Sequence, residues 1–188
     1  SGRTWSGQAE AMTGIGHTRW ATHGEVTEEN AHPHADPTGR VQIVLNGIVE
    51  NWAELRRRFI ERGDRFTSDT DAEVVAHLVA DHYDGDLVEA VRAAFNELRG
   101  HYAFVAVAAD EPELIVAARR ECPLVIGVGE GECFVASAIP AFLKETRITQ
   151  MVEDDEIVAI RASGTEFFTA SGDPVERATE EVNWDEET

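Results

Sequence analysis

Apolar residues recur along this chain with two different periods, and the change of period divides it. Between residues 51 and 98 they return every three or four positions, the spacing of one helix face. Asn51 with Glu54 predicts a first helix, with Leu55 and Phe59 inside and Gly63 closing it. Thr70-Asp71-Ala72-Glu73 reads as a capping box, followed by a stripe of Val74, Val75, Leu78 and Val79. Asp86 with Glu89 opens a third helix, with Val88, Val91, Phe95 and Leu98 inward and Gly100 past its end. Outside that block the chain turns to short β-branched runs. Val41 to Leu45 predicts a buried strand that ends abruptly at Asn46-Gly47. Strands are predicted at 102–107 and 114–118, with hairpins 124–127/133–137 and 156–160/165–169. Ile139 to Glu145 reads as a short helix. Residues 14–22 read as a strand running into a loop at 25–40, and residues 1–12 as a mobile start or short helix. The acidic tail after Gly172 reads as loose. Helices in one block, with antiparallel strands before and after, give an α+β fold.

Composition narrows the class of partner more than the class of reaction. The 188 residues suit one domain with a core, and 43% hydrophobic content is ordinary. No apolar run approaches the roughly 20 residues of a membrane span, and no export leader is recognisable, so no membrane partner is expected. Two cysteines, Cys122 and Cys133, make no disulfide framework. A reduced, cytoplasmic setting is the expectation. Acids outnumber bases 36 to 16, for a net charge of −20, which argues against nucleic acid. All the bases but Lys144 are arginine. The dispersed acids fit either adaptation to high salt, where screening relaxes self-repulsion, or an ordinary acidic cytosolic protein.

Three segments carry the candidate chemistry. Gly14 to Gly24 packs a guanidinium, an indole, two hydroxyls and two imidazoles between glycines. Each polar group in such a run needs a partner or faces desolvation. Arg19 offers a fork for one carboxylate, or else a structural ion pair. Asn46-Gly47 follows a buried strand. The Asn46 amide and the Gly47 N–H can aim at one point as an oxyanion hole, or the pair can be a tight turn. Asp71 falls in a first helical turn, where the macrodipole favours a carboxylate. It can receive an ammonium group, or serve as capping chemistry alone. Taken together the three describe a pocket for an α-amino acid attacked at a side-chain carbonyl.

The wording of these segments resembles one family. Gly-His-Thr-Arg-Trp-Ala-Thr-His-Gly (16–24), Asn-Ala-His-Pro-His (30–34), Asn-Gly-Ile-Val-Glu-Asn (46–51), Ser-Asp-Thr-Asp-Ala-Glu-Val (68–74) and Pro-Leu-Val-Ile-Gly-Val-Gly-Glu-Gly-Glu (123–132) occur in order. They are similar to the glutaminase half of the glutamine–fructose-6-phosphate aminotransferases, a class II glutamine amidotransferase. The resemblance implies an N-terminal-nucleophile hydrolase fold, an αββα sandwich of antiparallel sheets. It implies hydrolysis of glutamine to glutamate and ammonia, with ammonia passed to a sugar-isomerase domain that makes glucosamine 6-phosphate. It implies that Arg19 holds the substrate carboxylate and Asp71 its α-amino group. Asn46 and Gly47 form the oxyanion hole, and Trp20, Thr22 and His23 line the pocket. No cofactor and no metal are expected. Residues 1–172 are read as the amidotransferase domain. Residues 173–188, with Val182-Asn183-Trp184-Asp185, are read as the start of a linker to the isomerase domain, through which a homodimer is expected.

The sequence also departs from that pattern. The family's nucleophile is a terminal cysteine whose own α-amine is the base, whereas the sequence given opens Ser1-Gly2-Arg3. The expectation is a domain without that nucleophile and without the first strands, inactive alone. Cys122 and Cys133 are read as small core residues. Leu45 stands where the family usually has histidine, and Ala138 where aspartate is common. Two further readings remain: a domain that binds glutamine or a partner without turnover, and a metal-dependent hydrolase using His32, His34 and Asp36 with His17 and His23.

Overall fold

The structure is a computed structural model and describes residues 12–18 and 27–183. Arg19, Trp20, Thr22, His23 and the segments 1–11 and 184–188 lie outside the described residues. A large antiparallel sheet has the order β1-β2-β3-β4-β8-β9-β10, from β1 (His34–Ala35), β2 (Val41–Val49), β3 (Gly100–Ala108), β4 (Ile115–Arg120), β8 (Glu156–Arg161), β9 (Gly164–Thr169) and β10 (Pro174–Val175). A smaller one has the order β11-β7-β5-β6, from β5 (Val125–Val128), β6 (Cys133–Ala136), β7 (Ile148–Met151) and β11 (Glu180–Glu181). Three helices, α1 (Trp52–Arg62), α2 (Asp71–His82) and α3 (Leu87–Glu97), cover the outer face of the large sheet.

Strand alternation sorts the side chains into two cores. Val41, Ile43, Leu45 and Val49 of β2 face the helices, with Phe104, Val116 and Ile157. Val44, Val105, Val158 and Ile160 face the other way, onto Leu124, Ile126 and Val152 at the small sheet. The result is the expected α+β sandwich. After β6 come a 3₁₀ turn, Ile139–Ala141, and Phe142, whose ring packs on Gly127 of the small sheet. That turn is shorter than the helix predicted over 139–145; beyond it Glu145 N and Thr146 N close separate turns on Phe142 O.

Several local expectations need correction. The strand at 41–45 does not end at Asn46-Gly47; β2 runs through both to Val49, paired residue by residue with β3. The tight-turn reading of Asn-Gly is therefore excluded. Asn51 does not cap α1. Its Nδ2 donates to Glu97 O at 3.0 Å and its Oδ1 accepts from Arg99 N at 2.9 Å, while Glu54 pairs with Arg99. The side chain ties the start of α1 to the end of α3 instead. The tail is not loose up to residue 183: β10 extends the large sheet and β11 the small one. Strand β7 was not predicted, because Ile-Thr-Gln-Met lacks a clean alternation. Residues 13–18 form no strand. The hairpins β5/β6 and β8/β9, and the Gly63 C-cap in the left-handed region, are as predicted.

Helix α2 is buried from Asp71 to Val79, more than one stripe, because α1, α3 and β2 enclose it. Thr70 caps it through Glu73 N, but the Glu73 side chain does not return to Thr70. Its Oε1 accepts from the Thr67 N–H and hydroxyl at 2.7 and 2.9 Å. Its Oε2 accepts from the Ser68 N–H and hydroxyl, both at 2.6 Å. Burial alone would raise this carboxyl; the four donors outweigh it and hold it below its ordinary 4.5. One turn on, burial pushes the His77 imidazole, stacked on Phe66 at 4.1 Å, below its ordinary 6.5. Both shifts have one consequence. The unfolded chain binds protons that the folded chain resists, so acid unfolds it. The His77 contribution begins to fall as pH drops below about 6.5. That of Glu73 is complete above 4.5 and lost as pH falls through the depressed folded value. The thermal midpoint is expected to decline in two stages on acidification. Glu73→Gln should flatten the lower stage and cost about 2–4 kcal/mol at neutral pH. An unchanged acid slope in that variant would contradict the assignment.

Candidate active site

The site is built on the free edge of β2. Strand β1 is two residues long and pairs only with Gln42 and Ile43. In the β2/β3 ladder Glu50 N donates to Arg99 O and Ala109 N to Arg40 O. With the register Val41↔Ala108 to Val49↔Gly100, this makes the even-numbered residues of β2 the hydrogen-bonded partners of β3. The N–H groups of Leu45, Gly47 and Val49 point to the opposite edge, past the end of β1. Leu45 N–H donates to His32 Nδ1 at 3.2 Å, and Val49 N–H donates to Asp71 Oδ2 at 2.8 Å. Between them the Gly47 N–H has no partner among the described residues. It lies about 7 Å along the edge from the position held by Asp71.

Gly47 takes φ +91° in mid-strand, the left-handed region that favours glycine. A Cβ there would collide with the His101 carbonyl oxygen and lie 2.7 Å from Cys122 Sγ. The close approach of β3 and Cys122 and the positive φ together require a residue with no side chain. Asp71 is buried at the first position of α2, where the helix N-terminus favours its charge. Capping belongs to Thr70, so Asp71 is not spent on it.

Asn46 shares Val44's face and looks into a cleft between the sheets of about 480 Å³. Val44, Leu124 and Val135 give it apolar walls; His17, Asn46 and Ser137 supply polar groups. Asn46 Oδ1 meets His17 Nε2 at 2.7 Å. Its Nδ2 has no partner among the described residues. An apolar cleft with a few convergent donors is the usual form of a small-molecule site. Leu45, where the resemblance leads one to expect histidine, packs into the helix-side core and also borders the cleft.

The histidines do other work than the metal reading gave them. His32 stacks on His17 at 4.3 Å and meets His34 edge-on at 4.8 Å. His34 Nε2 bonds Thr70 Oγ1 at 3.0 Å. Asp36 accepts from the Thr38 N–H and hydroxyl and the Val41 N–H, and folds its own turn. No three His, Cys, Asp or Glu side chains among the described residues converge on a metal position. Cys122 and Cys133 are half-buried, and burial pushes both thiols up, away from the thiolate a nucleophile needs. The structure thus brings Asn46, Gly47 and Asp71 to one strand. Sequence reasoning did not give His17 its contact with Asn46; only the proximity of β2 to residues 13–18 reveals it.

Known proteins carry the same pattern. The chain is 47% identical over 178 residues to a glutamine–fructose-6-phosphate aminotransferase (isomerizing) of Caldanaerobacter subterraneus subsp. tengcongensis, covering 95% of this chain and 29% of that protein. It is 50% identical over 177 residues to the Streptomyces coelicolor protein of the same name, covering 93% and 29%. The chain therefore spans less than a third of the length of these curated relatives. Among solved structures, the glutamine phosphoribosylpyrophosphate amidotransferase of B. subtilis superposes with a TM-score of 0.67 at 25% identity, over 82% of this chain and 34% of that one. A glutamine aminotransferase class-II domain protein from Silicibacter pomeroyi superposes with a TM-score of 0.52 at 19% identity, over 75% and 70%, and shares the fold. The profile described as glutamine amidotransferase domain matches residues 17–144, from His17 of the cleft through β2 and α2 to Lys144. This chain belongs to the glutamine amidotransferase domain family.

Proposed function

We propose that this domain binds glutamine and hydrolyses its side-chain amide, and that the whole protein delivers the ammonia to fructose 6-phosphate. The observation that carries this reading is the Gly47 N–H on the β2 edge, without a partner among the described residues and flanked by the carboxylate of Asp71. Asp71 receives the α-ammonium, and Arg19 pairs with the α-carboxylate. The extended side chain then reaches along the edge, so that its amide carbonyl lies at Gly47 N–H and Asn46 Nδ2. Attack on that carbonyl by the terminal thiol that the family uses places negative charge on oxygen, two fixed donors stabilise it, and its collapse expels ammonia and leaves a thioester for water to hydrolyse. By the family resemblance, Trp20, Thr22 and His23 line the pocket. The amidotransferase domain runs past residue 172 to include β10 and β11, which complete its two sheets, and the chain after β11 leads to a sugar-isomerase domain through which the protein dimerises. No helix among the described residues is long and apolar enough to cross a membrane. A cytoplasmic enzyme, free of membrane and nucleic acid, fits that observation and the acidic composition.

Glutamine-dependent ammonia release by the complete gene product tests the hydrolysis, and glucosamine 6-phosphate formation tests the acceptor. Calorimetric binding of glutamine without ammonia release would select the non-catalytic reading. Arg19→Ala is expected to weaken glutamine binding by about 100-fold or more, through loss of a charged fork. Unchanged affinity would remove the carboxylate assignment.

A further inference from the structure

We infer that His17 is a positioning residue for the oxyanion hole: its Nε2–H holds Oδ1 of Asn46 and so turns the amide nitrogen into the cleft. The inference rests on the glutaminase reading for its kinetic consequence, and on geometry alone for the hydrogen bond. An asparagine amide can sit in either of two orientations, and only its neighbours decide which. One orientation donates to an oxyanion; the other presents a carbonyl and would repel it.

The ring of His17 makes the choice. Its Nε2 is 2.7 Å from the Asn46 side chain, and its Nδ1 is buried with no partner among the described residues. Were Asn46 turned the other way, its NH₂ would donate to Nε2 and the ring proton would move to Nδ1. A buried N–H would then have no acceptor, the rarer and costlier defect. With the proton on Nε2 the N–H is satisfied and only a lone pair at Nδ1 is left. That tautomer faces a carbonyl oxygen, so Asn46 Nδ2 is directed to the cleft.

The ring cannot swing away easily. It stacks on His32 at 4.3 Å with 19° between planes, and His32 is held by the Leu45 N–H at its Nδ1. His32 in turn meets His34, which is bonded to Thr70, the N-cap of α2. One ladder of imidazoles therefore runs from the oxyanion amide to the helix start that carries Asp71. It fixes both donors and carboxylate relative to the same strand.

The test compares His17→Phe, which keeps the stack and loses the donor, with His17→Gln, whose Nε2 can still donate. In the complete gene product, His17→Phe is expected to lower kcat for ammonia release about 10- to 100-fold, the usual cost of losing a supporting contact. KM should change less than about threefold, because ground-state glutamine does not need the oxyanion donor. His17→Gln should recover most of the lost kcat. A His17→Phe enzyme with wild-type kcat, a change confined to KM, or a His17→Gln enzyme as slow as His17→Phe would each overturn the proposal. Long-range ¹⁵N spectra of the wild-type protein give a readout free of activity. The proton on His17 Nε2 supports the proposal, and the proton on Nδ1 overturns it. A wild-type protein that binds glutamine without releasing ammonia would defeat the hydrolysis reading, while the ring tautomer still decides the amide's orientation.

Discussion

Gly47→Ala is expected to remove glutaminase activity and to destabilise the fold by about 2–5 kcal/mol. Both effects come from one added methyl group. At φ +91° an alanine is strained, and its Cβ would meet the His101 carbonyl and Cys122 Sγ. Relief requires β2 to move away from β3 or to rotate at residue 47. Either movement turns the Gly47 N–H away from its direction on the β2 edge, and losing one such donor costs about 10²–10³ in kcat. The two effects can be separated. Urea unfolding reads the strain, and ammonia release under conditions where the variant is still folded reads the donor. Trimming the opposing thiol by Cys122→Ala should restore part of the stability but little of the activity, because the carbonyl clash and the φ remain. A Gly47→Ala protein with wild-type stability and kcat would show that neither the conformation nor the N–H matters.

Asp71→Asn is expected to weaken glutamine binding about 100-fold or more while changing stability by less than about 1 kcal/mol. The amide can still accept from Val49 N–H through its oxygen, so the contact that anchors the start of α2 to β2 survives. What is lost is the negative charge for the substrate's ammonium. Asp71→Ala removes both, and leaves the Val49 N–H without its acceptor, at a further cost of about 1–3 kcal/mol. A γ-amide analogue lacking the α-amino group should bind the wild type poorly and distinguish little between wild type and Asp71→Asn. Equal affinity of both proteins for glutamine would place Asp71 in structure alone.

The sequence made the helical block legible because its signals are local. Thr70 and Asp86 cap as read, Gly63 closes α1, and the apolar spacing of α2 and α3 corresponds to burial. Asn51 misled because a residue with capping chemistry was claimed by a distant backbone, Glu97 O and Arg99 N. The end of β2 misled for a related reason. Asn-Gly is a turn signal in isolation, but nine paired positions on β3 carry the strand through it and force Gly47 into an unusual φ. The break in local rules coincides with the candidate site, as conflicts between propensity and fold often do. Strands β10 and β11 at the sheet edges, and the four-residue β7 between β11 and β5, were invisible because short strands draw their stability from neighbours rather than from their own pattern.

The chemistry was legible in residue types but not in arrangement. Asn46, Gly47 and Asp71 were singled out from their neighbours in the chain. That the Gly47 N–H and Asp71 share one edge of β2, with Asn46 next to them on its cleft face, depends on β1 being only two residues long, which exposes alternate N–H groups beyond it. His17 and His32 looked like metal ligands beside His34 and Asp36. In the fold they stack, and Asp36 is occupied by its own turn. Histidines spaced closely in sequence signal a crowded ring cluster as readily as a coordination sphere.

A crystal structure of the protein with L-glutamate bound measures the central claim most directly. The account predicts the α-ammonium on Asp71, the α-carboxylate on Arg19, and a side-chain carboxylate oxygen within hydrogen-bond distance of Gly47 N and Asn46 Nδ2. Glutamate bound away from the β2 edge, or Asp71 and Asn46 contacting two separate molecules, would contradict it.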